Sequence, residues 1–152
     1  MKNLYKIKTI SISVEKLISA TPAEVYTAWL DKNCPGSPWH GVEQAIIDPN
    51  VDGLFYRMHR SDDEEYELAH YGRFILLDSH KKIQHTWVSQ HTRGLESIVT
   101  VTFEKLTDRT LVTISHENLP DDEKGRMHMH GWKYYLQMIQ ETFSQEDENE
   151  AG

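Results

Sequence analysis

The chain has 152 residues, which suits a single domain with a real core that needs no metal or disulfide support. It carries 24 acidic residues against 16 Lys and Arg, a formal net charge of -8, so its field repels nucleic-acid backbones and anionic lipid heads. Neither nucleic acid nor a membrane is therefore an expected partner. A single cysteine, Cys34, and the absence of a signal-peptide-like or membrane-spanning apolar run predict a cytoplasmic protein.

The N-terminal segment predicts one half-buried strand. Within residues 7–18, the apolar side chains of Ile10, Ile12 and Val14 alternate with polar ones, which is the period of a strand with one covered face. The pattern stops at Ser19, so we expect the strand to end there.

A helix start follows directly. Thr21 precedes Pro22, and Glu24 stands three residues after the threonine, an arrangement typical of a capped helix N-terminus. Two prolines and a glycine within residues 33–38 end this helix. Residues 39–41 are expected to form a second short helix or a loop.

The middle of the chain predicts six strands separated by short turns. Because the connections are short, neighbouring strands should be antiparallel, since a parallel pair needs a crossover of about a dozen residues or more. The last two strands each alternate an apolar with a polar face, so one face of the sheet should be buried. The predicted strands span residues 42–48, 53–60, 66–77, 81–90, 96–106 and 110–118.

The C-terminal region holds the best-formed helix, predicted from about Pro120–Glu123 to Glu146. Six residues fall on one side of it at 100° per residue and form an apolar stripe: His128, Trp132, Tyr135, Leu136, Ile139 and Phe143. We therefore predict an α+β fold in one domain, residues 1–145, with a curved seven-stranded antiparallel sheet around this helix and two short helices after the first strand. Residues 146–152 form an acidic tail that we expect to be flexible.

Several segments in this order resemble a known family. They are Ala20–Trp29, Val51–Phe55, Gly72–Phe74, Lys82–Trp87, Val99–Glu104, Val112–Pro120 and His128–Trp132 followed by Leu136 and Ile139. Together they cover residues 9–143 and look like the Bet v 1-like, START-related helix-grip superfamily (SRPBCC), in the branch named after the C-terminal domain of the activator of Hsp90 ATPase. The full-length activator has a further N-terminal domain that the resemblance does not include, so we do not expect a direct chaperone-activating role.

The resemblance implies an apolar cavity between the sheet and the final helix, where relatives bind hydrophobic small molecules. We expect binding of such a molecule, in a stress- or metabolism-related role, with no cofactor, no metal and no catalytic residue. The expected ligand-binding residues are Trp29, Trp39, Phe55, Tyr71, Trp87, Val99, Val101, Ile114, His116, His128, Trp132, Tyr135 and Ile139. The cavity should open beside the first half of the helix, around Gly131.

Two other functions stay open. One is a protein-interaction module related to Hsp90-type chaperone regulation, which would require an exposed patch on the outer sheet face. The other is a small-molecule enzyme, a cyclase or hydrolase, with its acid or base drawn from four candidates: Glu67, Tyr71, His116 and His128. A homodimer is also left open.

The remaining polar candidates have simpler interpretations. Arg57 and Arg73 could anchor an acidic ligand if they faced inward, but solvent-facing ion pairs are the preferred interpretation. Buried histidines such as His85 are expected to be hydrogen-bonded in place rather than to join His116 and His128 around a metal.

Turn histidines and one helical glycine complete the candidates. Four histidines in or near turns are expected to be solvated: His40, His59, His80 and His91. Gly131 interrupts the best helix, where glycine costs roughly 1 kcal/mol relative to alanine. Close approach of the helix backbone to the sheet or to Trp29 is the preferred explanation, and space for a ligand is the alternative.

Overall fold

The computed structural model describes residues 7–60, 63 and 65–151, with side chains to residue 144. One seven-stranded antiparallel sheet and a long C-terminal helix form the fold, as predicted. The elements in chain order are β1 (Thr9–Ile18), α1 (Pro22–Leu30), β2 (Gln44–Ile47), β3 (Leu54–Arg60), β4 (Glu67–Asp78), β5 (Lys82–Ser89), a 3-10 turn (Gln90–Thr92), β6 (Ser97–Lys105), β7 (Thr110–Pro120) and α2 (Glu123–Ala151).

The sheet order is β1-β7-β6-β5-β4-β3-β2. Strands β2 to β7 therefore follow one another as a meander, and β1 closes the far side by pairing with β7. Short turns permit this order because each strand returns beside its predecessor. The inner face of the sheet carries the core and α2 lies across it.

Helix α1 begins as the sequence predicts. Thr21 accepts a hydrogen bond from the backbone N–H of Glu24, and the Glu24 carboxylate accepts one from the N–H of Thr21. Two of the orphan N–H donors of the helix start are thereby satisfied. Val25 and Trp29 on this helix are fully buried in the core.

The second short helix expected at residues 39–41 does not form. Turns and bends occupy this connection, and Gly36 and Gly41 adopt positive φ angles that a helix excludes. Ser37 fixes the loop to α1 by donating its hydroxyl proton to the carbonyl of Trp29, at 2.8 Å. The loop thus folds back over the core and buries Trp39.

Helix α2 presents the predicted stripe to the sheet. Trp132, Leu136, Ile139 and Phe143 are buried in the core, and His128 is partly buried at one end of the row. The helix extends to Ala151, beyond the predicted end at Glu146. The flexibility expected of residues 146–152 stays a prediction, because their side chains and residue 152 lie outside the described part of the chain.

Neither helix, over the residues described, combines the length and apolarity that a bilayer crossing would require.

Candidate functional site

A cavity of about 290 Å³ lies between the inner face of the sheet and the first half of α2. Strands β3, β4 and β5 form one wall, and the opposite wall is the helix around Gly131. The size is at the small end of the range for small-molecule sites. The lining residues are Arg57, His59, Leu68, His70, Trp87, His91, Lys124, Met127, His128, His130, Gly131, Trp132 and Tyr135.

The structure brings only some of the expected binding residues to this cavity. Trp87, His128, Trp132 and Tyr135 line it, and their contact with a ligand stays a prediction. Eight others are buried behind it or elsewhere in the core: Trp29, Trp39, Phe55, Val99, Val101, Ile114, His116 and Ile139. They pack the fold and do not border this cavity.

Tyr71 is on the wrong face for the role expected of it. Its side chain is 53% exposed on the outer side of the sheet. On β4 the inward residues are Leu68, His70 and Phe74, so strand alternation directs Tyr71 outward. The expectation that Tyr71 borders the inner cavity is therefore corrected.

Arg57 points into the protein, contrary to the preferred interpretation of a solvent-facing ion pair. It lies on the same, inner face of β3 as Phe55 and His59 and is 3% exposed. Its Nε donates to the carbonyl of Pro38 at 2.7 Å, so the turns after α1 cover it from above. Arg73, by contrast, makes the expected ion pair, with Asp52 at 2.9 Å.

Two further side chains hold the Arg57 guanidinium. Nη1 donates to Nδ1 of His70 at 2.9 Å, and Nη2 donates to the hydroxyl oxygen of Tyr135 at 2.6 Å. The guanidinium carbon also lies 5.6 Å from the ring centre of Trp87 and 5.8 Å from that of Tyr135, within the range of cation–π attraction. The fork is thus fixed from three sides.

His70 is a neutral support for this arginine. An arginine only donates, so Nδ1 of His70 must be the unprotonated acceptor. Burial, together with the positive charge of Arg57, lowers the pKa of His70 to about 2. Its ring packs on Trp87 at a centroid distance of 4.6 Å, which holds both side chains in the cavity wall.

His116 uses both ring nitrogens inside the core. The indole N–H of Trp132 donates to its Nδ1 at 3.0 Å, and its Nε2 lies 2.7 Å from the hydroxyl of Ser97. The Ser97 hydroxyl is in turn hydrogen-bonded to the carbonyl of Trp87. With both nitrogens occupied, His116 has no free position for proton transfer to a ligand.

His128 alone among the four acid–base candidates borders the cavity. Its Nδ1 donates to the carbonyls of Lys124 and Gly125, at 3.0 and 3.1 Å. Burial lowers the pKa of His128, and these carbonyls partly oppose the shift because they stabilise the protonated ring. Glu67 is exposed and pairs with Arg60 at 3.2 Å, away from the cavity.

The metal alternative gains no support from the geometry. His85 is buried among aromatic rings, 5.1 Å from Phe55 and 5.5 Å from Phe74 between centroids. Its Nδ1 donates to the carbonyl of Thr86 at 2.8 Å. Within the described residues, no three histidine, cysteine or acidic side chains come close enough to hold an ion.

Gly131 faces open space. An added Cβ at this position would meet no atom within 4 Å, so the helix backbone does not approach the sheet or Trp29 closely there. The preferred explanation for this glycine was wrong. Its missing side chain instead widens the cavity.

Sequence patterns missed part of the cavity wall. His59 and His91, expected to be solvated, are half-buried at the cavity. Arg57, His70, Leu68 and Met127 were not among the expected binding residues. The spacing of Phe55, Arg57 and His59, two residues apart on one strand, was the available sequence signal that Arg57 and His59 share the inner face with Phe55.

A family model described as activator of Hsp90 ATPase homolog 1-like protein matches residues 19–144. No match to the chain was found among curated proteins.

Solved structures share the fold at low sequence identity. A protein from Chromobacterium violaceum is 23% identical, with TM-score 0.69 over 86% of this chain and 94% of that one. A protein of unknown function from Staphylococcus aureus is 14% identical, with TM-score 0.76 over 94% and 98%. An HSP90 activator from Plasmodium falciparum is 19% identical, with TM-score 0.65 over 84% and 91%.

Proposed function

The chain belongs to the activator of Hsp90 ATPase homolog 1-like family, and from the geometry of its cavity we propose that it binds a small, largely apolar molecule between the sheet and α2. The observation that carries the proposal is the cavity of about 290 Å³ beside Gly131. A well-packed core leaves few voids larger than a water, so a space of this size is available to a ligand.

The walls suit an apolar body. Trp87 and Trp132 lie 5.0 Å apart between ring centres and give the cavity a rigid aromatic side. Leu68 and Met127 add aliphatic surface. Aromatic side chains offer a large contact area and lose little rotamer entropy on binding, so such walls favour planar or extended hydrophobic ligands.

The test blocks the cavity without disturbing the core. Gly131→Leu adds an apolar side chain where nothing lies within 4 Å, whereas Lys133→Leu adds the same side chain to the exposed side of α2. Isothermal titration calorimetry would use neutral aryl and alkyl amides, among them 1-naphthaleneacetamide.

The wild type and Lys133→Leu should bind at least one of these probes, and Gly131→Leu should lose that binding. Absence of binding to the wild type of both this series and the matching aryl and alkyl carboxylic acids, or equal binding by Gly131→Leu, would overturn the proposal.

A chaperone-type protein partner is a second candidate function. Three apolar side chains lie side by side across the outer face of β2, β3 and β4, because Ile46 pairs with Tyr56 and Tyr56 pairs with Tyr71. Ile46 and Tyr71 are more than half exposed. Exposed apolar patches of this kind mark interaction surfaces.

The two candidates are separable by mutation. Ile46→Ser with Tyr71→Ser should abolish binding of a purified Hsp90-type chaperone, and Gly131→Leu should leave it intact. If the chaperone does not bind the wild type, this second function fails and the ligand proposal is unaffected.

A further inference from the structure

Arg57 is a buried cation whose bonded partners are all neutral. The three acceptors are the carbonyl of Pro38, Nδ1 of His70 and the hydroxyl oxygen of Tyr135. Taking a charge out of water is unfavourable unless an opposite charge compensates it. Among the residues that the structure describes, no carboxylate lies within ion-pair distance of Arg57.

The cavity that Arg57 borders between the sheet and α2 carries positive charge although the chain is acidic. The cavity lining contains Arg57 and Lys124 as formal cations and, in the described part of the chain, no aspartate or glutamate. The chain as a whole has eight more acidic than basic charges. The cavity is thus a local positive site, and an anion is the complementary occupant.

Donors remain available at this site. A guanidinium has five N–H groups, and the three contacts above use three of them, which leaves one on each Nη. The Tyr135 oxygen accepts from Arg57, so its own proton is free for donation. Two N–H groups and one O–H match the two oxygens of a carboxylate, whereas a phosphate has three oxygens and a second negative charge to satisfy.

We infer that Arg57 anchors the carboxylate of an amphipathic organic acid whose apolar body lies against Trp87, Trp132 and Leu68. This inference rests on the proposed ligand-binding function and specifies the class of ligand. Tyr135 donates its hydroxyl proton to the same carboxylate, and His70 and Pro38 hold the guanidinium in position. Because the fork is fixed before binding, little conformational entropy is lost when the acid enters.

Isothermal titration calorimetry at pH 7.5 with two matched probes tests the inference. The probes are 1-naphthylacetate and 1-naphthaleneacetamide, which share their rings and differ in charge. The wild type should bind the carboxylate at least about tenfold more tightly than the amide, since charge-assisted hydrogen bonds are roughly twice as strong as neutral ones. The corresponding phosphonate should bind more weakly than the carboxylate.

Substitutions test which side chains cause the preference for the carboxylate over the amide. Arg57→Gln should remove the difference between the two probes, and Tyr135→Phe should weaken carboxylate binding several-fold with little change for the amide. Arg73→Gln, which alters an arginine on the outer face, should behave as the wild type. If Arg57→Gln does not fold, the affinities of the wild type and of Tyr135→Phe for the two probes still test the inference.

The binding results distinguish failure of the anion inference from failure of the proposed ligand-binding function. Amide binding without a preference for the carboxylate overturns the anion inference and keeps the proposed function. If the wild type binds neither these probes nor the wider neutral series, the proposed function fails as well. Tighter binding of the phosphonate than of the carboxylate would overturn the assignment of a carboxylate ligand.

Discussion

The indole N–H of Trp132 on α2 donates a hydrogen bond to Nδ1 of His116 on β7, at 3.0 Å. Because an indole only donates, this contact fixes His116 as the neutral tautomer with its proton on Nε2, directed at Ser97. The contact ties the helix to the sheet directly behind the cavity. His116, an acid–base candidate by sequence, is therefore part of the packing that supports the cavity wall.

Removing this hydrogen bond should destabilise the protein. Trp132→Phe keeps an aromatic ring but leaves Nδ1 of His116 buried without a donor, which costs about 1–3 kcal/mol. The midpoint of urea unfolding should fall while the slope stays constant. Tyr134→Phe, an exposed aromatic change on the same helix, should leave the midpoint in place, and an equal loss in both variants would contradict the role of the contact.

Gly131→Ala should stabilise the protein. The added methyl group meets nothing within 4 Å, and alanine is favoured over glycine in a helix interior by roughly 1 kcal/mol. For a domain of this size the melting temperature should rise by about 2–4 °C. A fall in melting temperature would show that the glycine serves close packing after all. The gain should come with weaker ligand binding, because the methyl group enters the cavity.

Gly36→Ala should be strongly destabilising. A Cβ there would lie 2.5 Å from the backbone nitrogen of Ile139, and the residue has a φ of +98°. Gly41 is the matched control, since its φ is also positive, at +75°, but nothing lies within 4 Å of its Cβ position. Gly41→Ala should cost about 1 kcal/mol for the backbone conformation alone. Differential scanning calorimetry compares the two, and similar losses would argue against tight docking of this loop on α2.

Stability should decrease as the pH falls below about 6.5. Burial lowers the pKa of His85 to about 4, so the folded state keeps this ring neutral while the unfolded chain takes up a proton near pH 6.5. The unfolded state then binds more protons, and His85 alone removes roughly 1 kcal/mol per pH unit down to about pH 4. Above pH 6.5 its contribution is fully present.

Substitution of this ring tests the effect. His85→Phe should reduce the slope of the unfolding free energy against pH between 6.5 and 5 by roughly 1 kcal/mol per pH unit, measured by urea titration, while the buried His70 keeps its own contribution. Exposed His130→Gln is the control and should retain the wild-type slope. An unchanged slope in His85→Phe would assign the pH dependence to other groups.

Local sequence patterns predicted the seven strands and the two helices of this fold, but also a short helix at residues 39–41 that does not form. Alternation in the first strand and the last two, and turn signals between the others, place all seven strands within about two residues of their observed ends. The Thr21–Glu24 cap and the stripe from Trp132 to Phe143 are equally local signals. The family resemblance then supplied the arrangement of the elements.

The site depended on contacts that no local pattern encodes. Alternation puts Arg57 beside Phe55 on one face of β3, but only the turns after α1, which bring the Pro38 carbonyl to it, and Tyr135 of α2 make that face the interior. Likewise, Gly131 lies in the predicted C-terminal helix whether or not the sheet approaches it. Composition and periodicity are properties of neighbouring residues, whereas a cavity is set by the distance between elements far apart in the chain, and that distance was decided by the tertiary packing.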